Sequence, residues 1–325
     1  MLTRVAPSHV RFGSFEVFYY RNQFEQIKTL ADYVIAHHYA ELSSTENPYR
    51  ALLVEVIERT AKLIAQWQSV GFAHGVMNSD NMSILGLTID YGPFGFMEAY
   101  DPAYICNHSD HEGRYAFDRQ AEIGLFNVSC LAQALLPLFD EDPNKGAEWA
   151  KQALSEYQGH YVHHYAGLMR AKLGLNNVEV EDQKLIEDLL ALMATDRVDF
   201  TILFRRLCDF STIARGGAHP PGLRDLFMQR DAFDHWAYQY KVRLLKEAGV
   251  DEVRQRRMRQ VNPKYILRNY LAEQAIRKAE NDKDYSEIDI LFRLLQNPFA
   301  EHGEFDTYAD HPPEWASQIS VSCSS

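Results

Sequence analysis

The stretch "HGVMNSDNMSILGLTIDYG", residues 74–92, restricts the fold of this chain more than any other. Asp80 and Asn81 stand just before a short apolar run, Met82 to Ile89, and Asp90 stands just after it. Eight residues of straight strand would hold those ends roughly 26 Å apart. Two oxygen ligands of one Mg²⁺ must lie about 3 Å from each other, because each sits about 2.1 Å from the ion. Asn81 and Asp90 can therefore share an ion only if the run doubles back. Gly86 supplies the fold point, since it tolerates positive φ, and "MSIL" and "LTID" read as two short arms of a hairpin about it. Asp80 and Asn81 are chain neighbours and tend to point different ways, which leaves Asp80 for another task. One amide and one carboxylate on a metal, with a spare carboxylate nearby, suits chemistry on a metal-bound phosphate. A second reading stays open: Asn and Asp also simply cap hairpins.

Around this segment the chain reads as helices. Phe24 to Leu42 carries apolar residues at Phe24, Ile27, Leu30, Ala31, Val34 and Ile35, one helical face. Pro48 to Val70 repeats the pattern through Leu52, Val56, Leu63, Ile64 and Trp67, and Gly71 ends it. After the hairpin comes a Gly- and Pro-punctuated stretch with no period, and long loops of this kind are usually functional. A helix resumes through Leu125, Val128 and Leu135, another runs from about Lys145 to Leu173, and more follow between Glu181 and Leu295. "DEDPN" (140–144) and "RGGAHPPG" (215–222) are the candidate joints, and Asn297 to Ser325 reads as an irregular tail. The absence of βαβ alternation excludes a doubly wound nucleotide-binding fold, and neither GxGxxG nor GxxxxGK[ST] occurs. The expected class is mainly α, α+β overall, with one small β-hairpin.

Charge and cysteine content narrow the function classes. Lys and Arg number 33 against 45 Asp and Glu, a net charge of −12, which argues against nucleic-acid and anionic-membrane binding. No stretch reaches the ~18 consecutive apolar residues of a membrane span, and the first residues have no apolar signal region. Cys106, Cys130, Cys208 and Cys323 are too scattered for a disulfide scaffold and contain no CxxC pair. The cytoplasm is the expected compartment.

A helical lobe, a His-containing loop with Asp and Asn, a small hairpin and then "DYG" (90–92) resembles the C-lobe of protein kinases, without their His-Arg-Asp triplet. A fuller set of blocks, "LTRVAPSHVRFGSFE", "HGVMNSDNMSILGLTIDYGPFGF", "YDPAYICNHSDHEGRYAF", "VNPKYILRNYLAEQAI" and the terminal "CSS", resembles the selenoprotein O family of protein adenylyltransferases over residues 2–325. The resemblance implies a kinase-like C-lobe core over residues 1–140, a helical extension over 141–296 and an irregular tail over 297–325. It implies transfer of AMP from ATP to protein hydroxyls, with ATP as substrate and Mg²⁺ or Mn²⁺ as cofactor. By the same resemblance Asp80 is the general base, Asn81 and Asp90 are the metal ligands, and Arg4, Arg11 and Asp90 contact ATP. Chemistry agrees: a hydroxyl needs a carboxylate to accept its proton, and arginine's rigid fork suits phosphate. The tail Cys323 takes the place of the family's redox-active residue, and a reversible disulfide to Cys106 is expected from it. The family's glycine-rich loop and phosphate-binding lysine lie upstream of "LTRVAPSH", so a nucleotide-clamping N-lobe is expected to be missing, or separately encoded, and the activity impaired. The alternatives are a phosphotransferase of kinase-like fold and a non-catalytic helical interaction module.

Other polar clusters read more simply. His74 is a loop histidine bonded to backbone. His108, Asp110 and His111 in "NHSDH" belong to the loop that shapes the substrate site rather than to a zinc centre. His160 and His164 share a helix face as surface or packing residues, and Cys130 and Cys208 are small core residues.

Overall fold

The computed structural model describes residues 4–213, 220, 222–247 and 249–322. Among them the chain is mainly helical. Helices α1 (Phe12–Tyr20), α2 (Phe24–His38) and α3 (Pro48–Ser69) precede the segment 72–96, and α4 (Gln120–Leu135), α5 (Pro143–Ser155) and α6 (Tyr157–Lys172) follow it. Then come α7 (Asp182–Asp196), α8 (Phe200–Leu207), α9 (Arg230–Leu244), α10 (Asp251–Val261), α11 (Asn269–Asp282) and α12 (Ser286–Gln296).

The best-signalled helix is α3. Asn47 caps it, its Oδ1 accepting from the amides of Tyr49 at 3.1 Å and Arg50 at 3.0 Å, and Pro48 occupies the first turn. Gly71, at φ +71°, turns the chain out of it. Its apolar face, Leu52, Leu53, Val56, Ile57, Ala61 and Ile64, is buried in a first core that runs from Phe12 to Tyr157. The expected single helix from Lys145 to Leu173 is two, broken at Glu156. The break lets Tyr157 turn into the first core, where its hydroxyl occupies the space a Cβ on Gly124 would need. A second core gathers side chains from Met97 to Met258, and a third joins Tyr270, Leu271, Ala275 and Leu291 to the tail residues Tyr308, Trp315 and Ile319. The tail therefore packs, through the short turns Gly303–Ala309 and Glu314–Gln318. The joint at 215–222 lies mostly outside the described residues. One helical stretch, Phe117–Leu138, has the length and apolar composition of a membrane span; Val128, Leu131, Ala132 and Leu135 within it are buried in the first core.

The hairpin differs from its expectation. The described sheet has two strands, β1 (Phe72–Ala73) and β2 (Gly95–Phe96), antiparallel with Phe72 opposite Phe96 and Ala73 opposite Gly95. They close the base of the loop, while "MSIL" and "LTID" form no strands and share one bridge, Met82 opposite Thr88. The reason is competition for backbone. The N-terminal segment takes the outer edge of the first arm: Phe12 N–H donates to Met82 O at 3.0 Å and Ile84 N–H donates to Val10 O at 3.0 Å. The reversal itself is present, with Gly86 at φ +65° and its amide bonded to Ser83 O at 3.1 Å.

Candidate active site

The loop 74–92 is held mainly through its own carbonyls. A buried backbone oxygen must find a donor, and where no ladder exists side chains supply it. Asn107 Nδ2 donates to Gly75 O at 3.1 Å, Asn81 Nδ2 to Val76 O at 2.9 Å, and Asn127 Nδ2 to Met77 O at 2.8 Å. Tyr39 OH donates to Ile84 O at 2.7 Å. His74 is buried, and burial pushes its pKa below the ordinary value. The neutral ring satisfies two neighbours at once: Nε2–H donates to Ile89 O at 2.9 Å and Nδ1 accepts from Val76 N–H at 3.4 Å. This is the backbone-bonded role expected of it.

Arg11 ties the two sides of the turn. Its Nη1 donates to Asp80 O at 2.6 Å and to Asp90 Oδ2 at 3.3 Å. Asp80 and Asp90 are both exposed, so the Arg11–Asp90 pair stands in water and contributes at most about 1 kcal/mol to stability. A pair this weak can exchange one partner for an incoming phosphate. Arg4 lies on the same side, its Nε donating to Thr88 O at 3.3 Å and its Nη1 to Val5 O. Asp80 points elsewhere than Asp90: its Oδ1 lies 1.9 Å from where a Cβ on Gly13 would stand, against the first turn of α1. Asp90 has φ +59°, a left-handed conformation that Asp tolerates better than most residues, and Gly92 N–H donates back to its carbonyl at 2.8 Å.

Asn81 and Asp90 fit a hard divalent cation in kind. With Nδ2 committed to Val76 O, the opposite atom of the Asn81 amide, Oδ1, is the one suited to a metal. Mg²⁺ is commonly held by one or two protein oxygens together with substrate phosphates. No group of three or more His, Cys, Asp or Glu suited to a metal occurs among the described residues, so a full protein cage is not offered there. His108 and Asp110 serve the loop: Asp110 accepts from Arg114 N–H at 2.9 Å and Tyr115 N–H at 2.7 Å, and His108 N–H donates to Val321 O at 2.8 Å. Cys106 is buried, its Sγ donating to Ala73 O at 3.4 Å; Cys323, its expected partner, lies outside the described residues. Cys208 is buried as expected, and Cys130 is half-buried on α4.

Two cavities flank the loop. One of about 430 Å³ is apolar, lined by Trp67, Phe72, Thr88, Tyr91, Phe94 and Phe96 with residues around 263–267 and 295–299. The other, about 730 Å³, lies between residues 96–108 and the tail at 312–321. Neither is lined by Asp80, Asn81 or Asp90, which stand on an open face.

Sequence reasoning missed Gly13 and the amides on α4. Two amide residues seven apart, Gln120 and Asn127, on the buried face of a largely apolar helix were the available signal.

The sequence profile of the family described as "Protein adenylyltransferase SelO" matches residues 1–296. The chain is 56% identical to "Protein nucleotidyltransferase YdiU" of Thioalkalivibrio sulfidiphilus (strain HL-EbGR7) over 325 residues, all of this chain and 65% of that protein. It is 55% identical to the protein of the same name in Thiobacillus denitrificans (strain ATCC 25259 / T1) and 52% identical to that in Myxococcus xanthus (strain DK1622), again over 100% of this chain and 65% of each. The chain thus spans about two thirds, 65%, of the length of the relatives it matches. The profile match over residues 1–296 does not itself support the expectation of a missing nucleotide-clamping lobe. On a profile match over most of its length and identities above one half, the chain belongs to the SelO family of protein adenylyltransferases.

Proposed function

We propose that this chain, on a kinase-like C-lobe, transfers AMP from ATP to Ser, Thr or Tyr hydroxyls of proteins. The observation that carries the reading is the Arg11 guanidinium, which touches Asp80 O and Asp90 Oδ2 from one nitrogen at the mouth of the loop. In this reading Asp80 accepts the proton of the acceptor hydroxyl as its oxygen bonds to the α-phosphorus. The bond from that phosphorus to the α,β-bridging oxygen breaks, and pyrophosphate departs with the electron pair. Arg4 and Arg11 orient the phosphates, Arg11 releasing Asp90 in exchange for a phosphate oxygen. Asn81 and Asp90 would hold Mg²⁺ (or Mn²⁺), which when bound offsets negative charge on the phosphates. The exposure of Asp80 and Asp90 supports access by a macromolecular acceptor. The reading keeps Cys106 and Cys323 as a redox pair, Cys323 lying outside the described residues.

Label from ATP tests it. With Mg·ATP carrying isotope at the α- or the γ-phosphate, the chain and added acceptor proteins retain the α label and not the γ label. Asp80→Asn lowers the transfer by about 100-fold or more, the ordinary contribution of a general base. Retention of γ label identifies a phosphotransferase instead, and retention of neither leaves a non-catalytic helical module.

A further inference from the structure

Two amides on α4 do more for the loop than a packed helix requires. Gln120 opens the helix and is fully buried. Its Oε1 accepts from His74 N–H at 3.0 Å and its Nε2 donates to Phe72 O at 3.0 Å. One side chain thus extends β1 by one donor and one acceptor, as a neighbouring peptide group would. Asn127 lies seven residues on, about 10.5 Å along the same helix face, and its Nδ2 reaches Met77 O. The space between them is tight, since Tyr157 OH fills the volume beside Gly124. Asn127 Oδ1 is buried and has no hydrogen-bond partner among the described residues. A buried unpaired oxygen costs about 1–3 kcal/mol, so Asn127 is poorly explained by stability alone.

We propose that Gln120 and Asn127 are positioning residues that fix the loop bearing Asp80 and Asn81 in register on α4, Gln120 through one acceptor and one donor and Asn127 through one donor, a donor that an ionised carboxylate cannot supply. Across the six residues from Phe72 to Met77 they hold three backbone groups, and Asp80 follows three residues later. A displacement of about 1 Å in a reacting group can lower a rate on the order of 100-fold. The proposal rests on the adenylyl-transfer reading only for the activity half of its test.

Gln120→Glu separates positioning from bulk. The two side chains have the same shape, but a carboxylate accepts from His74 N–H and cannot donate to Phe72 O. A protonated carboxyl does both and restores the pattern. The titratable neighbour in contact is His74, whose pKa a carboxylate at position 120 would raise, so the hydrogen exchange of residues 72–81 is read at each pH beside the activity ratio. The ratio of α-label transfer is expected to fall to about 1% at pH 8 and to rise at least tenfold by pH 6, with KM for ATP little changed. Hydrogen exchange measured alongside should show faster exchange confined to residues 72–81 at pH 8. Asn127→Asp should behave alike, through Met77 O. Parent-like activity and exchange in both variants at every pH would overturn the proposal. So would exchange that rises over the whole chain in both variants, which assigns the amides to folding. A parent protein that transfers no label refutes the adenylyl-transfer reading alone, and the exchange pattern then decides the positioning claim.

Discussion

Asp80 rests its carboxylate on the one α1 residue that lacks a side chain. A Cβ at Gly13 would stand 1.9 Å from Asp80 Oδ1 and 2.9 Å from its Cγ, with Asp80 Cα at 3.4 Å, so the carboxylate must move and the loop behind it cannot easily follow. Gly13→Ala is therefore expected to lower α-label transfer about tenfold or more while changing stability by less than about 1 kcal/mol, since Ala favours the helix by nearly that amount. Unchanged transfer in a folded Gly13→Ala protein would remove Asp80 from its assigned place. At this scale the residue types marked the loop, and the structure brings Arg11 Nη1 to Asp80 O and Asp90 Oδ2, a contact that no local pattern around Arg11 announced. Gly13 was not readable, because what a glycine makes room for is set by a residue 67 positions away.

The turn between Asn81 and Asp90 depends on Gly86. It adopts φ +65°, and a Cβ there would stand 2.8 Å from Arg59 Cβ and 3.2 Å from Arg59 O on α3. A left-handed alanine costs about 1–2 kcal/mol before any contact is counted. Gly86→Ala should lower the unfolding free energy by about 2–3 kcal/mol in a denaturant titration, the contact adding to the backbone cost. A change below about 0.5 kcal/mol would mean the turn is made elsewhere. The reversal was legible from one glycine between two apolar arms. The missing strands were not, because Val10 to Phe12 compete for the same backbone, a tertiary pairing that local pattern does not carry. Helix α3 was legible almost to its ends because Asn47, Pro48 and Gly71 mark them locally. The break at Glu156 was not, because it serves Tyr157, whose place is set by Gly124 on another helix.

Across the whole molecule, the helices beyond α6 join the loop's surroundings through a second core that contains a buried charge. Lys172 is buried at the end of α6, its Nζ 4.2 Å from the ring centre of Phe204 and 5.4 Å from that of Phe200. Burial lowers its pKa to about 7 from the ordinary 10.5. The unfolded chain then binds more protons than the folded one between about pH 7 and 10.5, so this group makes stability rise with pH across that window. Lys172→Met should raise stability at pH 7 by about 2 kcal/mol, and its advantage should shrink toward pH 10. An advantage independent of pH would mean the ammonium is solvated in the folded state. Buried ion pairs connect the same region to the helices after it: Arg268, at the start of α11, bonds Asp199 Oδ2 at 2.8 Å and also Glu98, just past β2. The family and the helical class were legible in blocks spread along the chain. The joining of those blocks was not, since Glu98, Asp199 and Arg268 are 101 and 69 residues apart and meet only in the folded state.

The most direct test of the site at the turn is binding of Mg·ATP to the full chain, followed as thermal stabilisation. A ligand bound only by the native state at 100 times its Kd adds about 2.7 kcal/mol. The parent protein should show a saturable rise in Tm with Mg·ATP. Asp90→Asn, which replaces the carboxylate by an amide of the same shape that tolerates left-handed backbone, should lose most of it. No rise in the parent, or an equal rise in Asp90→Asn, would contradict the assignment of nucleotide and metal to Asn81, Asp90 and Arg11.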